Sequence, residues 1–292
     1  MKRFYSLLFL LVCSILPACA ERNDPVDCSV NGIYLDGPVL CIKGLITLDD
    51  TSDFSNISFD QVERVTINSY GGDSQVAILI ADKLRGLDKP VEVQEFCMSA
   101  CAQYLMKSSD EIYVHAGTKV AFHHSTYAIN QIYSVFEGLP DQNYMATKAS
   151  SERSFYERNG VDLRLLTVPL AQLPLQRIIF DTNPDSKGMA IIEWKEYNFV
   201  AYSKTDIETL LGIRILGPWN PRQTDFDLGG NGRVMTAMLD QPNWETPKSF
   251  DLDYVCLAEF SNNNPYFPQY RKDRPVACKR LSEAERKMPS IE

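Results

Sequence analysis

Short apolar runs alternate with helix-spaced apolar residues along the first half of the chain. Strands are predicted over residues 62–68, 90–96, 111–114 and 119–123, where such runs end at polar residues or glycine. Asp73 or Ser74 can cap a helix that follows the first strand and carries apolar residues up to Leu84. A second helix is predicted over residues 99–106. This alternation predicts an α/β fold in which helices cover a parallel sheet.

The flanking segments carry weaker patterns. Residues 32–47 are predicted to form two β-runs around a turn at residues 36–38. A long helix is predicted over residues 143–159, ending at Gly160, and a last helix follows Ser203 through Leu211. Residues 163–180 are predicted to be partly helical, residues 191–202 to be β-structure, and the Gly-, Pro- and Asn-rich residues 217–243 to be loop.

The N-terminus has the pattern of an export signal. Lys2 and Arg3 precede a largely apolar stretch at residues 4–16, and small residues follow at 18–20. The apolar stretch is too short to span a bilayer, so we expect cleavage after Ala20. Residues 16–19 also resemble a lipobox, which would leave an acylated Cys19 as a membrane attachment.

These patterns divide the chain into a signal peptide at residues 1–20, an α/β domain at 21–216 and a loop-rich extension at 217–292. We expect the protein to be exported to the bacterial periplasm or cell envelope.

The charge of the chain bears on which classes of partner it can bind. The sequence has 38 Asp and Glu residues and 29 Lys and Arg residues, which gives a formal net charge of −9. Nucleic-acid-binding proteins instead present Lys and Arg to phosphates, so we expect no nucleic-acid partner.

Of the eight cysteines, all but Cys13 and Cys19 lie beyond the predicted signal. An even number in an exported chain indicates disulfides. The three local pairs expected are Cys28–Cys41, Cys97–Cys101 and Cys256–Cys278. Cys97 and Cys101 could instead bind zinc with two adjacent histidines, or supply a thiol nucleophile. Adjacent histidines on a strand do not readily converge on one zinc ion, and a free thiol would have to survive oxidation, so the disulfide is preferred.

A candidate nucleophile lies between two of these cysteines. Ser99 falls within the sequence CMSAC at residues 97–101, where an apolar strand gives way to the second predicted helix. The field of a helix N-terminus favours a group that becomes an oxyanion. His123 ends another predicted strand, and Gly71 and Gly72 follow a third. A nucleophile, a base and an oxyanion loop thus all lie at strand ends, which is typical of a hydrolase.

Three motifs occur in order along this region: NSYGG at residues 68–72, CMSAC at 97–101 and KVAFH at 119–123. Together they resemble the landmarks of the Clp protease proteolytic subunit and its exported relatives, within the ClpP/crotonase superfamily. The resemblance covers residues 62–125 and continues thinly over 143–212. It implies stacked ββα units with a parallel sheet, followed here by a disulfide-bearing C-terminal extension.

The resemblance implies that Ser99 is the nucleophile and His123 the general base, a role that imidazole fills near neutral pH. Backbone N–H groups of Gly71 and Ala100 would bind the oxyanion. Two alternatives remain open: Ser99 caps its helix, or His123 is structural. His124 is expected to face the opposite side of the strand, as a surface or supporting residue.

The third catalytic residue is less clear from the sequence. The resemblance places it shortly before the helix that follows Ser203, where Asn198 stands, with Glu196 two residues earlier on the same strand face. A carboxylate orients the imidazole and stabilises its charged form, whereas an amide only orients it. The position relative to the helix after Ser203 favours Asn198, whereas the ability of a carboxylate to stabilise a charged imidazole favours Glu196. The remaining histidine, His115, is expected to be structural.

The sequence leads us to expect an exported serine hydrolase, and a peptidase in particular, that forms an acyl-enzyme on Ser99 without a cofactor or metal. Peptides or unfolded proteins are the expected substrates. The cytosolic ATPase that serves the Clp subunit is not an expected partner, and a homo-oligomer is compatible with the resemblance. The alternative is a catalytically inactive envelope protein that uses the fold for binding or assembly.

Overall fold

The computed structural model of the chain describes residues 28–133, 142–169, 173, 175–181, 190–194, 199–219, 225–226, 232–237, 252–258, 277–284 and 286. The predicted signal peptide, with Cys19, lies outside the described residues, as do Glu196 and Asn198. Among the helices that are described, none combines the length and the apolar character needed to cross a bilayer.

Strands and helices alternate in the first half of the chain, as predicted. The described strands are β1 (Gly32–Asp36), β2 (Val39–Ile46), β3 (Arg64–Gly72), β4 (Val91–Met98), β5 (Glu111–Val114), β6 (Lys119–Ala121), β7 (Leu175–Asp181), β8 (Ala190–Trp194), β9 (Phe199–Tyr202), β10 (Arg214–Leu216), β11 (Asp225–Phe226), β12 (Gly232–Ala237), β13 (Leu252–Ala258) and β14 (Ala277–Arg280). The described helices are α1 (Asp50–Ser55), α2 (Ser74–Arg85), α3 (Ala100–Gln103), α4 (Thr126–Tyr133), α5 (Gln142–Asn159) and α6 (Lys204–Leu211).

The main sheet has the strand order β1-β2-β3-β4-β5-β10, and β6 also pairs with β4. All of its pairs are parallel except β1 with β2. The mainly parallel sheet confirms the predicted α/β fold. Two smaller sheets have the orders β11-β12-β9 and β14-β13-β7-β8. In the second of these, Cys256 and Cys278 of the C-terminal extension are bonded across β13 and β14.

Strand β4 changes partner along its length, and this change positions the site. Residues 91–93 pair with β5, whereas residues 96–98 pair with β6. Between them Glu95 has a φ of +41°, and the register with β3 shifts nearby. Irregularities of this kind re-aim a strand. The C-terminal end of β4 therefore lies beside the end of β6.

The main core lies between this sheet and the helices that follow its strands. Helix α2 begins at the predicted cap, where the Asp73 side chain accepts hydrogen bonds from two amides of the first turn. Its buried face is complementary to the apolar strands. Fully buried core residues include Leu40, Ile42, Val65, Ile67, Ala77, Ile80, Ala81, Val93 and Ile112. Burying each of the larger side chains stabilises the fold by about 1.5–3 kcal/mol.

Some predictions of local structure were wrong. Residues 217–243 are not loop throughout, because β11 and β12 lie within them. Residues 163–180 are helical in part, as predicted, with a short 3₁₀ helix (Leu163–Leu166) and helical residues at 168–169, but they then form strand β7, which was not predicted. In both cases backbone pairing with a distant strand, β9 for β12 and β13 for β7, decides the structure. The predicted helix at 99–106 is shorter, since α3 ends at Gln103 and a 3₁₀ turn (Leu105–Lys107) follows.

Candidate active site

Ser99 occupies the sharp turn between β4 and α3. Its φ of +56° and ψ of −127° are unusual for a residue with a side chain and cost on the order of 1–3 kcal/mol. Backbone hydrogen bonds hold the turn: Ser99 N–H donates to Ala121 O at 3.0 Å, and Gln103 N–H donates to Ser99 O at 2.9 Å. The Ser99 hydroxyl makes no capping hydrogen bond, so the capping alternative is wrong.

A disulfide bridges this turn. Cys97 and Cys101 are bonded, with a Cα–Cα distance of 5.1 Å, and both are fully buried. Neither sulfur is therefore a free thiol or a zinc ligand in this structure. Cys28 is likewise bonded to Cys41, which completes the predicted pairing. Among the described residues, no group of three or more His, Cys, Asp or Glu side chains has a metal-binding arrangement.

The His123 ring lies directly against the serine, with Nε2 2.5 Å from Ser99 Oγ. Three backbone contacts place it there. Phe122 exchanges hydrogen bonds with Val200 at 2.8 and 2.7 Å, and the His123 carbonyl accepts one from Gln103 Nε2 at 2.8 Å. The strand end predicted to carry the base is thus fixed to α3 on one side and to β9 on the other.

The predicted oxyanion loop at Gly71 and Gly72 is the C-terminal end of β3, which touches the Ser99 turn and is called the Gly71 loop below. Gly71 has a φ of +85°, and a Cβ added there would lie 2.5 Å from Met98 O and 2.7 Å from Ser99 Cβ. Only glycine fits this close approach. The Gly71 N–H donates to Ser69 Oγ at 3.0 Å in this conformation. The N–H of Ala100, the first amide of α3, has no acceptor within the helix.

Searches with the sequence match no protein-family model and no curated protein. The chain is similar to several solved structures, and for three of them the aligned share of each chain is as follows. A ClpP1 mutant from Listeria monocytogenes is 15% identical over 46% of this chain and 72% of that one, with a TM-score of 0.29. An enoyl-CoA hydratase/isomerase from Marinobacter aquaeolei is 12% identical over 64% and 70%, with a TM-score of 0.31. A membrane protease specific for a stomatin homologue from Pyrococcus horikoshii is 13% identical over 71% and 93%, with a TM-score of 0.27.

The mixed α/β fold with its mainly parallel sheet is similar to that of these ClpP- and crotonase-type structures. Because the TM-scores lie below 0.5, the roles of individual residues rest on the contacts within this chain. The core of this chain brings together four of the predicted site residues: Ser99, His123, Gly71 and Ala100.

His124 does not face away from the site as predicted. Strand β6 ends at Ala121, so the alternation of side chains along a strand no longer applies two and three residues later. The two imidazole rings instead lie side by side, with centroids 4.2 Å apart and the two Nδ1 atoms 3.0 Å apart. The adjacent histidines were visible in the sequence, but the early end of β6 was not.

Burial sets the protonation of both rings. It lowers the pKa of His123 to about 4, an effect that a backbone hydrogen bond with His124 partly offsets. It also lowers the pKa of His124 well below its usual value, and the neighbouring His123 adds to this effect. Both imidazoles are therefore neutral at pH 7, and His123 is able to accept a proton.

The third histidine lies at the other end of β4. His115 Nε2 is 2.9 Å from Glu92 Oε2, and the Thr66 hydroxyl donates to the same carboxylate at 2.8 Å. These residues are remote from Ser99, and His115 and Glu92 line a separate cavity of about 700 Å³. The position of His115 fits the structural role predicted for it.

Proposed function

We propose that the protein is an exported serine hydrolase, and specifically a peptidase, that forms an acyl-enzyme on Ser99. The observation that carries the proposal is the 2.5 Å contact between Ser99 Oγ and His123 Nε2, at a strained strand-to-helix turn. A turn of this shape exposes a nucleophile at the end of a strand.

The residues suggest a sequence of proton transfers. Neutral His123 accepts the hydroxyl proton through Nε2 while Ser99 Oγ bonds to the carbonyl carbon. The Ala100 N–H donates to the oxygen that becomes negative, and Gly71 N–H joins it once it leaves Ser69 Oγ. Protonated His123 then gives its proton to the departing amine, and water hydrolyses the acyl-enzyme by the same route in reverse.

The surface beside Gly71 supports a substrate with apolar side chains. Tyr70 is 40% exposed and its ring centroid lies 4.9 Å from that of Phe96 on β4.

Export is supported by the cysteines, because three disulfides suit an oxidising compartment. The N-terminal pattern supports it independently, with either cleavage after Ala20 or acylation of Cys19.

The nucleophile is tested with a fluorescent alkyl fluorophosphonate. The wild-type protein should be labelled once, at Ser99, and Ser99→Ala should lose all labelling while keeping its circular dichroism and melting temperature. Ser52→Ala is the control, because Ser52 is exposed on α1 and its hydroxyl donates a local hydrogen bond to Asp49 O at 2.9 Å.

Labelling that maps to another serine, or that persists in Ser99→Ala, would overturn the assignment. A wild-type protein that is folded but never labelled would instead leave the inactive binding protein as the better description. Peptide hydrolysis is tested separately with an unfolded protein substrate, read by mass spectrometry of the products in wild type and Ser99→Ala.

A further inference from the structure

We propose that His124 is the positioning residue of this site and holds His123 in the tautomer that can take the Ser99 proton. The proposal rests on the hydrolase function for its catalytic consequence, but the hydrogen bond itself can be tested without any activity. Its starting point is the 3.0 Å contact between the two Nδ1 atoms.

Such a contact is a hydrogen bond only when one nitrogen carries a hydrogen and the other is bare. If His123 donates through Nδ1–H, its Nε2 is bare and faces the Ser99 hydroxyl at 2.5 Å as an acceptor. If His124 donates instead, His123 Nε2 carries the hydrogen and cannot act as a base. The contact therefore couples the His124 tautomer to the reactivity of Ser99.

Residues on both sides keep the two rings in contact. On one side, Phe122 is fixed to Val200 by two backbone hydrogen bonds. On the other, the Ser125 hydroxyl donates to Leu166 O at 2.7 Å and accepts from Ala128 N–H at 3.0 Å. The backbone of the two histidines thus lies in a short segment between two anchors, which keeps the two residues side by side.

The neutral state of His124 fits a positioning role. Burial keeps both imidazoles uncharged at pH 7, so His124 accepts a hydrogen bond without placing a charge in the site. Among the described residues, no carboxylate contributes to the pKa of His123. A neutral acceptor orients the base but stabilises its protonated form less than a carboxylate does.

Nitrogen-15 NMR of the histidine rings tests the hydrogen bond directly, since the chain has three histidines. Wild-type His123 should show a protonated Nδ1 and a bare Nε2. His124→Phe keeps a ring of similar size and the backbone of residue 124, but its side chain accepts no hydrogen bond, and it should turn His123 into a tautomer mixture. His124→Asn supplies an amide oxygen and should restore the wild-type tautomer. His115→Asn, at the other end of β4, is the control and should leave the His123 signals unchanged.

The second readout is the rate of Ser99 labelling by the fluorophosphonate. His124→Phe should slow it by about 10- to 100-fold, less than the roughly 10⁴-fold seen when a catalytic aspartate is lost. His124→Asn should stay within about threefold of wild type, a rescue that a merely structural role would not give. The alternative orienting residues are tested in parallel with Asn198→Ala and Glu196→Gln.

Three results would overturn the proposal: a wild-type His123 with a protonated Nε2, a His124→Phe spectrum with an unchanged His123 tautomer, or a tautomer that responds to Asn198→Ala or Glu196→Gln but not to His124→Phe. The wild-type spectrum decides the first of these even if a variant fails to fold. If folded wild-type protein is not labelled at all, the hydrolase function is refuted. The NMR experiment does not depend on activity, so it would still test whether His124 sets the tautomer of His123.

Discussion

The contact between Ser99 and His123 depends on a neutral imidazole, and the surroundings of the ring decide the pH at which it stays neutral. The ring edge packs against Phe199, with centroids 5.5 Å apart, and His124 covers another side. These neighbours shield part of the ring from water and disfavour the charged form. The same enclosure that orients the His123 ring therefore keeps it neutral down to lower pH.

Labelling of Ser99 should follow the titration of His123. Because burial lowers the pKa of His123 to about 4, the labelling rate should rise between about pH 3 and pH 5 and be flat from about pH 6 upward. The measurement is the second-order labelling rate as a function of pH in wild type. The His115→Asn variant should give the same profile, and a midpoint near pH 6.5 would show that the ring is solvated.

The same shift links pH to stability. In the unfolded chain both histidines regain an ordinary pKa of about 6.5, so below that pH the unfolded state binds more protons than the folded state. The two histidines therefore reduce the free energy of unfolding as the pH falls below about 6.5, and for His123 this loss levels off only near pH 4, where the folded ring is protonated as well. Above about pH 6.5 neither ring carries this cost.

At the scale of elements, the Gly71 loop and the Ser99 turn form one unit. The loop ends β3, the turn ends β4, and the two strands are parallel neighbours, so their carboxyl ends meet. Ser69 ties the loop down, since its hydroxyl donates to Gly44 O at 2.7 Å and accepts the Gly71 N–H. The shape of this unit leaves no space between the two backbones at Gly71.

Gly71→Ala should therefore damage the site. The new Cβ would meet the Met98 carbonyl and the Ser99 side chain, and the positive φ adds further strain, so we expect a loss of stability of about 2–4 kcal/mol. Labelling of Ser99 should fall at least about 100-fold. The measurements are urea unfolding and the labelling rate.

Gly86→Ala is the matched control for this substitution. Gly86 follows α2 with a φ of −74°, and a Cβ there would lie 3.5 Å from Lys83 O, an ordinary contact. It should change stability and labelling little. Wild-type labelling in a folded Gly71→Ala protein would show that the loop is not part of the reactive site.

The predictable part of this structure is the part that local sequence determines. Continuous apolar runs indicate buried parallel strands, and the caps at Asp73 and Ser203 lie where the sequence places them. The early end of β6 depends instead on the pairing of Phe122 with Val200, 78 residues further along the chain. After this long-range pairing the chain no longer follows the strand, and the His124 ring lies beside that of His123. The local sequence around residues 119–124 does not indicate this pairing.

At the scale of the whole molecule, three disulfides are spread over separate regions. Cys28–Cys41 attaches the start of the described chain to β2, Cys97–Cys101 bridges the Ser99 turn, and Cys256–Cys278 joins β13 to β14. The last bridge belongs to the predicted C-terminal extension, whose β13 also pairs with β7. Oxidation therefore affects both the Ser99 turn and the pairing of β13 with β14 inside the predicted extension.

Protein isolated from the compartment where it works should have all six of these cysteines oxidised. Peptide mapping without reduction should find the three pairs above and no thiol that reacts in denaturant, and intact mass should begin at Glu21 or at an acylated Cys19. The same chain produced without its signal in a reducing cytosol is the control. It should contain free thiols and be less stable by about 2–4 kcal/mol for each missing bridge, with the Ser99 turn losing its brace. Free thiols at Cys97 and Cys101 together with an uncleaved Met1 in native protein would refute both the disulfides and the proposed export.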